Sequence, residues 1–90
     1  MPPDKEAFPL LSLAGRAMKL GGGMPAVVNA ADEVAVWAFL NEKISFSEIS
    51  ELVISTFDKM LSAASAKTLD EIIAADRKAR EIAVSELKEK

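Results

Sequence analysis

Apolar residues recur at helical spacing in four stretches of this chain, and short polar or glycine-rich segments separate these stretches. The first stretch follows residues 1–8, a polar, proline-bearing segment that we predict to be an extended arm. Its helix is predicted to begin at Pro9, because a first helical turn does not need the N–H that proline lacks. The three glycines at 21–23 should end it by supplying positive φ angles. Its apolar side comprises Leu10, Leu11, Leu13, Ala14, Ala17, Met18 and Leu20.

The second stretch begins at Pro25 and continues to about Asn41. Its C-terminal half is apolar on every side, which is typical of a central, buried helix. One stripe near its start is polar and continues into two apolar positions; it consists of Asn29, Asp32, Glu33, Val36 and Leu40. We interpret this stripe as facing another protein surface rather than water. Four further residues in the chain are predicted to belong to the core: Met18, Met24, Trp37 and Met60.

The third stretch opens with Ser45 and Glu48 at the spacing of a capping box, and Ile44 and Ile49 flank them at the spacing of a hydrophobic staple. Ser47 is an alternative cap, so the predicted start is defined to about two residues. The helix should then bury a regular apolar face, made of Ile49, Leu52, Val53, Thr56, Phe57, Met60 and Leu61.

The fourth stretch follows a connection of small residues at 62–67 and opens with a second capping box, Thr68 and Glu71. We predict that this helix runs to about Leu87. Its apolar face is predicted to be Leu69, Ile72, Ile73, Ala79, Ala83, Val84 and Leu87. Four helices with short links predict an all-α, four-helix bundle-like domain over residues 9–90, preceded by the extended arm, with the second helix in the centre.

Asp76 and Arg80 project from the middle of the face predicted for the fourth helix. Their i, i+4 spacing, with the acid first, favours an ion pair, and charges among apolar residues must be paired or hydrogen-bonded. We therefore favour a structural role that ties the fourth helix to another helix, with a contact to a partner protein or domain as the alternative.

Composition excludes most catalytic chemistry. The chain has 90 residues, half of them apolar, and contains neither cysteine nor histidine, which removes disulfides, thiolate and imidazole metal sites, and nucleophilic triads. Its net charge of −3 argues against nucleic acid or an anionic membrane as a partner. No apolar run suggests a membrane span or a signal peptide, so we expect a reducing cytoplasm or a plastid-type organelle.

Two weak patterns point to ligands. The oxygens of Asn29, Asp32 and Glu33 suit a hard cation, but no calcium-loop pattern accompanies them, so we expect a solvated or partner-facing stripe instead. The glycines at 21–23 precede a helix N-terminus, where phosphate can bind, but no strand or complete phosphate-binding motif is present. A hinge or helix cap is the favoured interpretation. We predict no catalytic, cofactor-binding or metal-binding residue in this chain.

Several segments in order resemble the C-terminal region of 1-deoxy-D-xylulose 5-phosphate reductoisomerases. The first two are Phe8-Pro9-Leu10-Leu11-Ser12-Leu13-Ala14 and Met24-Pro25-Ala26-Val27-Val28-Asn29-Ala30-Ala31-Asp32-Glu33-Val34-Ala35-Val36. The later ones are Ala38-Phe39-Leu40, Ile44-Ser45-Phe46 and Ala75-Asp76-Arg77-Lys78-Ala79-Arg80-Glu81. Asp32 departs from the asparagine common in that family, and the triple glycine is also less typical.

The resemblance implies a parent enzyme that converts 1-deoxy-D-xylulose 5-phosphate to 2-C-methyl-D-erythritol 4-phosphate in the non-mevalonate isoprenoid route. It implies NADPH and Mg²⁺ or Mn²⁺ as cofactors, a homodimer, and catalytic and nucleotide-binding domains that precede the matched segment. This chain would then be a non-catalytic C-terminal domain joined to the parent's other domains. Its expected structural or interdomain residues are Asn29, Glu33, Val36, Leu40, Asp76 and Arg80. The alternative is a free-standing acidic helical interaction module.

Overall fold

The computed structural model describes the backbone of residues 7–88 and the side chains of residues 12–88. Over this range the chain forms four α-helices and one short 3-10 helix, with no strand, which confirms the predicted all-α fold. The α-helices are α1 (Ala7–Leu20), α2 (Met24–Leu40), α3 (Phe46–Lys59) and α4 (Leu69–Lys88), and the 3-10 helix is Leu61–Ser65. None of these helices is long and apolar enough to cross a membrane.

Helix α1 begins at Ala7, two residues before the predicted start. Pro9 still lies in the first turn, where the backbone N–H groups have no partner within the helix. Residues 1–6 of the predicted arm lie outside the described residues. Of the predicted apolar side, Leu13 and Ala17 are buried, whereas Ala14, Met18 and Leu20 are exposed, because α1 touches α2 and α3 along a narrow strip. The prediction that Met18 is a core residue is therefore wrong.

Helix α2 packs against α1, α3 and α4, as expected of a central helix. Its buried face consists mostly of small residues: Met24, Val27, Ala30, Ala31, Ala35 and Ala38. The prediction that its C-terminal half is buried all round is wrong, because Val36, Trp37 and Leu40 are exposed. Its three packing partners cover only one side of α2 in this region, so the opposite side remains uncovered.

Both predicted capping boxes are present. Ser45 is the N-cap of α3, in preference to Ser47, and its backbone N–H donates to Oε1 of Glu48 over 2.8 Å. Thr68 precedes α4, where its Oγ1 accepts the backbone N–H of Glu71 over 3.1 Å. The Oε1 of Glu71 in turn accepts the backbone N–H of Thr68 over 3.1 Å. These reciprocal bonds satisfy donors that a helix start leaves without partners.

The turn between α1 and α2 packs against the 3-10 helix, which the sequence pattern did not predict. Gly21 and Gly22 have φ angles of 71° and 57°, as expected for glycines that end a helix. The N–H of Gly23 donates to the carbonyl oxygen of Ala63 over 2.8 Å. A Cβ at Gly22 would overlap the carbonyl of Ala64, so the backbones approach too closely for any side chain there.

The buried face of α4 differs from the predicted one. Ala75, Ala79 and Ala83 are buried, whereas Leu69, Ile73 and Val84 are exposed. At 3.6 residues per turn, the observed face is rotated by roughly 70° from the predicted one. The alanine stripe faces α2 because small side chains let the two helix backbones approach closely, and this outweighs the larger apolar area of the alternative face.

Candidate docking surface

Arg80 joins α2 to α4 through two carboxylates. Its Nε lies 2.7 Å from Oδ1 of Asp76 on the same helix, and its Nη2 lies 2.7 Å from Oε2 of Glu33 on α2. Between a third and slightly more than half of each side chain is exposed to solvent. The hydrogen bond to Asp76 and then the one to Glu33 raise the pKa of Arg80 above its ordinary value. Arg80 therefore stays charged and links the two helices.

The same observations correct the predicted environment of Asp76 and Arg80. Because the buried face of α4 is the alanine stripe, the pair lies at the edge of that face rather than in its middle. Water reaches both side chains, so the pair makes a smaller contribution to stability than a buried ion pair would. Glu33, which the sequence placed on the stripe of α2, is the cross-helix partner of Arg80.

The stripe predicted on α2 lies on the outer side of the domain. Asn29, Glu33, Val36 and Leu40 are all exposed there, with Leu40 72% accessible. Together with Asp76 and Arg80 from α4, these residues form one face, which we call the α2–α4 face. The contacts of Arg80 with Glu33 and Asp76 join the two helices at this face, and the structural or interdomain role expected of these six residues stays a prediction.

Trp37 extends the apolar part of the α2–α4 face and was missed by the sequence analysis, which assigned it to the core. Its side chain is exposed, and the ammonium of Lys43 lies 5.7 Å from the centre of its ring. Trp37 follows Glu33 by one helical turn, so it projects from the same side of α2. That spacing was the signal in the sequence that could have placed Trp37 outside the core.

Asp32 lies beside the α2–α4 face in a half-buried position. Burial raises the pKa of its carboxyl above the ordinary value, and the neighbouring charge of Glu33 raises it further. The side chain of Asp32 has no hydrogen-bond or ion-pair partner among the described residues. Its position therefore differs from that of Glu33, whose charge is balanced by Arg80.

The two weak ligand patterns gain no support from the described residues. Between residues 7 and 88, no group of three acidic side chains is placed to hold a metal ion. At the start of α2, the N–H of Gly23 donates to the 3-10 helix and the N–H of Met24 donates to the carbonyl of Gly21. These amides already have partners, which agrees with a helix cap rather than a phosphate site.

Comparison with known proteins identifies the class of this helical domain. A family model described as the DXP reductoisomerase C-terminal domain matches residues 1–82. The chain therefore belongs to the family of DXP reductoisomerase C-terminal domains. Family membership confirms the prediction of a reductoisomerase C-terminal domain, and it does not support the alternative of a free-standing acidic interaction module.

Curated relatives agree with this assignment, and each carries the name 1-deoxy-D-xylulose 5-phosphate reductoisomerase. The protein from Thermodesulfovibrio yellowstonii is 46% identical over 89 residues, which cover 97% of this chain and 23% of the relative. The protein from Cupriavidus metallidurans is 48% identical over 85 residues, which cover 94% of this chain and 21% of the relative. The protein from Pseudomonas aeruginosa is 44% identical over 81 residues, which cover 90% of this chain and 20% of the relative. The chain thus spans about a fifth of the length of these relatives.

Proposed function

We propose that this chain is the structural C-terminal domain of a 1-deoxy-D-xylulose 5-phosphate reductoisomerase and that its α2–α4 face contacts the enzyme's other domains. The parent enzyme would convert 1-deoxy-D-xylulose 5-phosphate to 2-C-methyl-D-erythritol 4-phosphate with NADPH and Mg²⁺ or Mn²⁺. We further propose that the parent is a homodimer in the cytoplasm. The matches to longer proteins named as reductoisomerases support the activity and the presence of further domains.

The exposed apolar part of the α2–α4 face carries the docking proposal. Val36, Trp37 and Leu40 lie on the outer side of the central helix, beside the ion cluster of Arg80. Contiguous apolar side chains rimmed by charges mark surfaces that bind other protein surfaces. The packing of buried small side chains holds α2 and α4 together, and the ion cluster bridges the two helices beside this apolar surface.

The described residues do not fit the parent's cofactors. No group of acidic side chains in the described part of the chain is arranged as a metal site. The turn before α2 also has partners for its first amides, so it does not offer a cradle for the phosphates of NADPH. We therefore assign the cofactor sites, and all catalytic residues, to the remaining domains of the parent.

A chimeric enzyme tests the docking proposal. The 90-residue chain replaces the matching segment of the Thermodesulfovibrio yellowstonii reductoisomerase, and thermal unfolding is followed by calorimetry in the chimera and in the chain alone. Docking predicts that the helical domain unfolds at a higher temperature in the chimera. Leu40→Asp should remove this difference while leaving the melting temperature of the chain alone nearly unchanged, because Leu40 is 72% exposed.

Met18→Asp is the matched control, because Met18 is 73% exposed but lies on α1. This variant should keep the higher melting temperature in the chimera. Equal melting temperatures for the domain in the two contexts, or equal effects of the two substitutions, would refute docking through the α2–α4 face. NADPH oxidation with 1-deoxy-D-xylulose 5-phosphate by the 90-residue chain alone would overturn the claim that it is not catalytic.

A further inference from the structure

Three residues spaced four apart lie in one row on the outer side of α2: Asp32, Val36 and Leu40. This row continues onto α3 through Phe46, which is exposed. The ring of Phe46 packs edge-to-face against the ring of Phe39, with 5.8 Å between the ring centroids. The row therefore combines three exposed apolar side chains with one carboxylate. We call this set of four residues the outer strip.

The carboxylate of Asp32 is the only charge of the outer strip, and nothing among the described residues balances it. The adjacent Glu33 is paired with Arg80, but the carboxylate of Asp32 makes no hydrogen bond or ion pair within the described part of the chain. Burial by its neighbours and the charge of Glu33 both disfavour its ionised form. A partly desolvated carboxylate without a cation is unfavourable for this domain by itself.

We propose that the outer strip is covered by a segment of the parent's other domains that carries apolar side chains and one lysine or arginine, and that this cation pairs with Asp32. The proposal rests on the docking function above and specifies the chemistry of the partner segment. Charge complementarity supports it, since a cation is the group that would compensate Asp32. The length of the relatives also supports it, because about four fifths of each lies outside the matched region.

Asp32→Asn tests the proposal because its effect should reverse sign between two contexts. In the 90-residue chain alone, the substitution removes an uncompensated carboxylate beside Glu33, so the melting temperature should rise by about 1–2 °C. For this test the chimera is built on a reductoisomerase that carries aspartate at the position matching Asp32, and there the substitution removes the partner of the cation. The melting temperature of the helical domain should then fall by roughly 4 °C.

Asp58→Asn is the control, because Asp58 is an exposed aspartate on α3 outside the outer strip. It should have the same small effect in both contexts. An Asp32→Asn effect of the same sign and size in the chain and the chimera overturns the cation proposal. If Leu40→Asp still abolishes the higher melting temperature in that case, docking stands and only the pairing of Asp32 is refuted.

Discussion

Thr56 offers a direct test of the structure of the core. Its side chain is fully buried in α3, and its Oγ1 has no hydrogen-bond partner among the described residues. A buried hydroxyl that has left water without gaining a partner costs about 1–3 kcal/mol. Valine has nearly the same shape and replaces the hydroxyl with a methyl group, so Thr56→Val should remove this cost.

We expect Thr56→Val to stabilise the domain by about 1–2 kcal/mol, after allowing for adjustment of its neighbours. For a domain of this size, each kcal/mol corresponds to roughly 4–8 °C in melting temperature. Calorimetry and urea denaturation of the 90-residue chain measure the change. An unchanged urea dependence alongside a higher midpoint would show that the native state itself is stabilised.

Thr68→Val is the matched control, because it makes the same chemical change at an exposed N-terminal cap. There the hydroxyl accepts the N–H of Glu71, and losing such a cap costs about 1 kcal/mol. The two substitutions should therefore shift the melting temperature in opposite directions. A lower or unchanged melting temperature for Thr56→Val would refute the reasoning, since it would mean that the hydroxyl is satisfied in the folded protein.

Three further predictions concern the turn, the second cap and the interior. In urea denaturation, Gly22→Ala should destabilise the chain by about 3 kcal/mol and Gly21→Ala by about 1 kcal/mol. Both glycines have a positive φ, but only a Cβ at residue 22 would overlap the 3-10 helix. Backbone hydrogen bonds lower the pKa of Glu71 below its ordinary value of 4.5. The ionised Glu71 therefore stabilises the folded chain fully at a pH well above 4.5, and this stabilisation is lost as the pH falls through the lowered pKa of Glu71. Glu71→Gln should therefore flatten the acid side of a melting-temperature profile. Ser55→Ala should cost about 1–2 kcal/mol by chemical denaturation, because Ser55 donates over 2.6 Å to Glu86, whose side chain is only 16% exposed.

The helix starts were predictable because their signals are local. A capping box places both partners within four residues, so Ser45 and Thr68 could be recognised without knowledge of the fold. The positive φ angles at Gly21 and Gly22 follow from the same kind of local rule. The order of the elements and the central position of α2 were therefore within reach of the sequence.

The faces of the helices were less predictable because they depend on their neighbours. The sequence of α4 allows two overlapping apolar stripes, and only the approach of α2 selects the one containing Ala79 and Ala83. Trp37 was assigned to the core on composition, although the partners of α2 leave its side uncovered. The pairing of Arg80 with Glu33 could not be predicted from local spacing, because it depends on how α2 and α4 pack.

The close approach of α2 and α4 affects how this domain can be studied. Alanine scanning is the usual first experiment for finding residues that matter, and it would return no information at most of the buried positions of these two helices. Seven of the buried residues of these two helices are already alanine, namely Ala30, Ala31, Ala35, Ala38, Ala75, Ala79 and Ala83. Only substitutions that add atoms would test this packing. A scan with serine or valine should therefore detect losses of stability at these positions, which an alanine scan leaves unchanged.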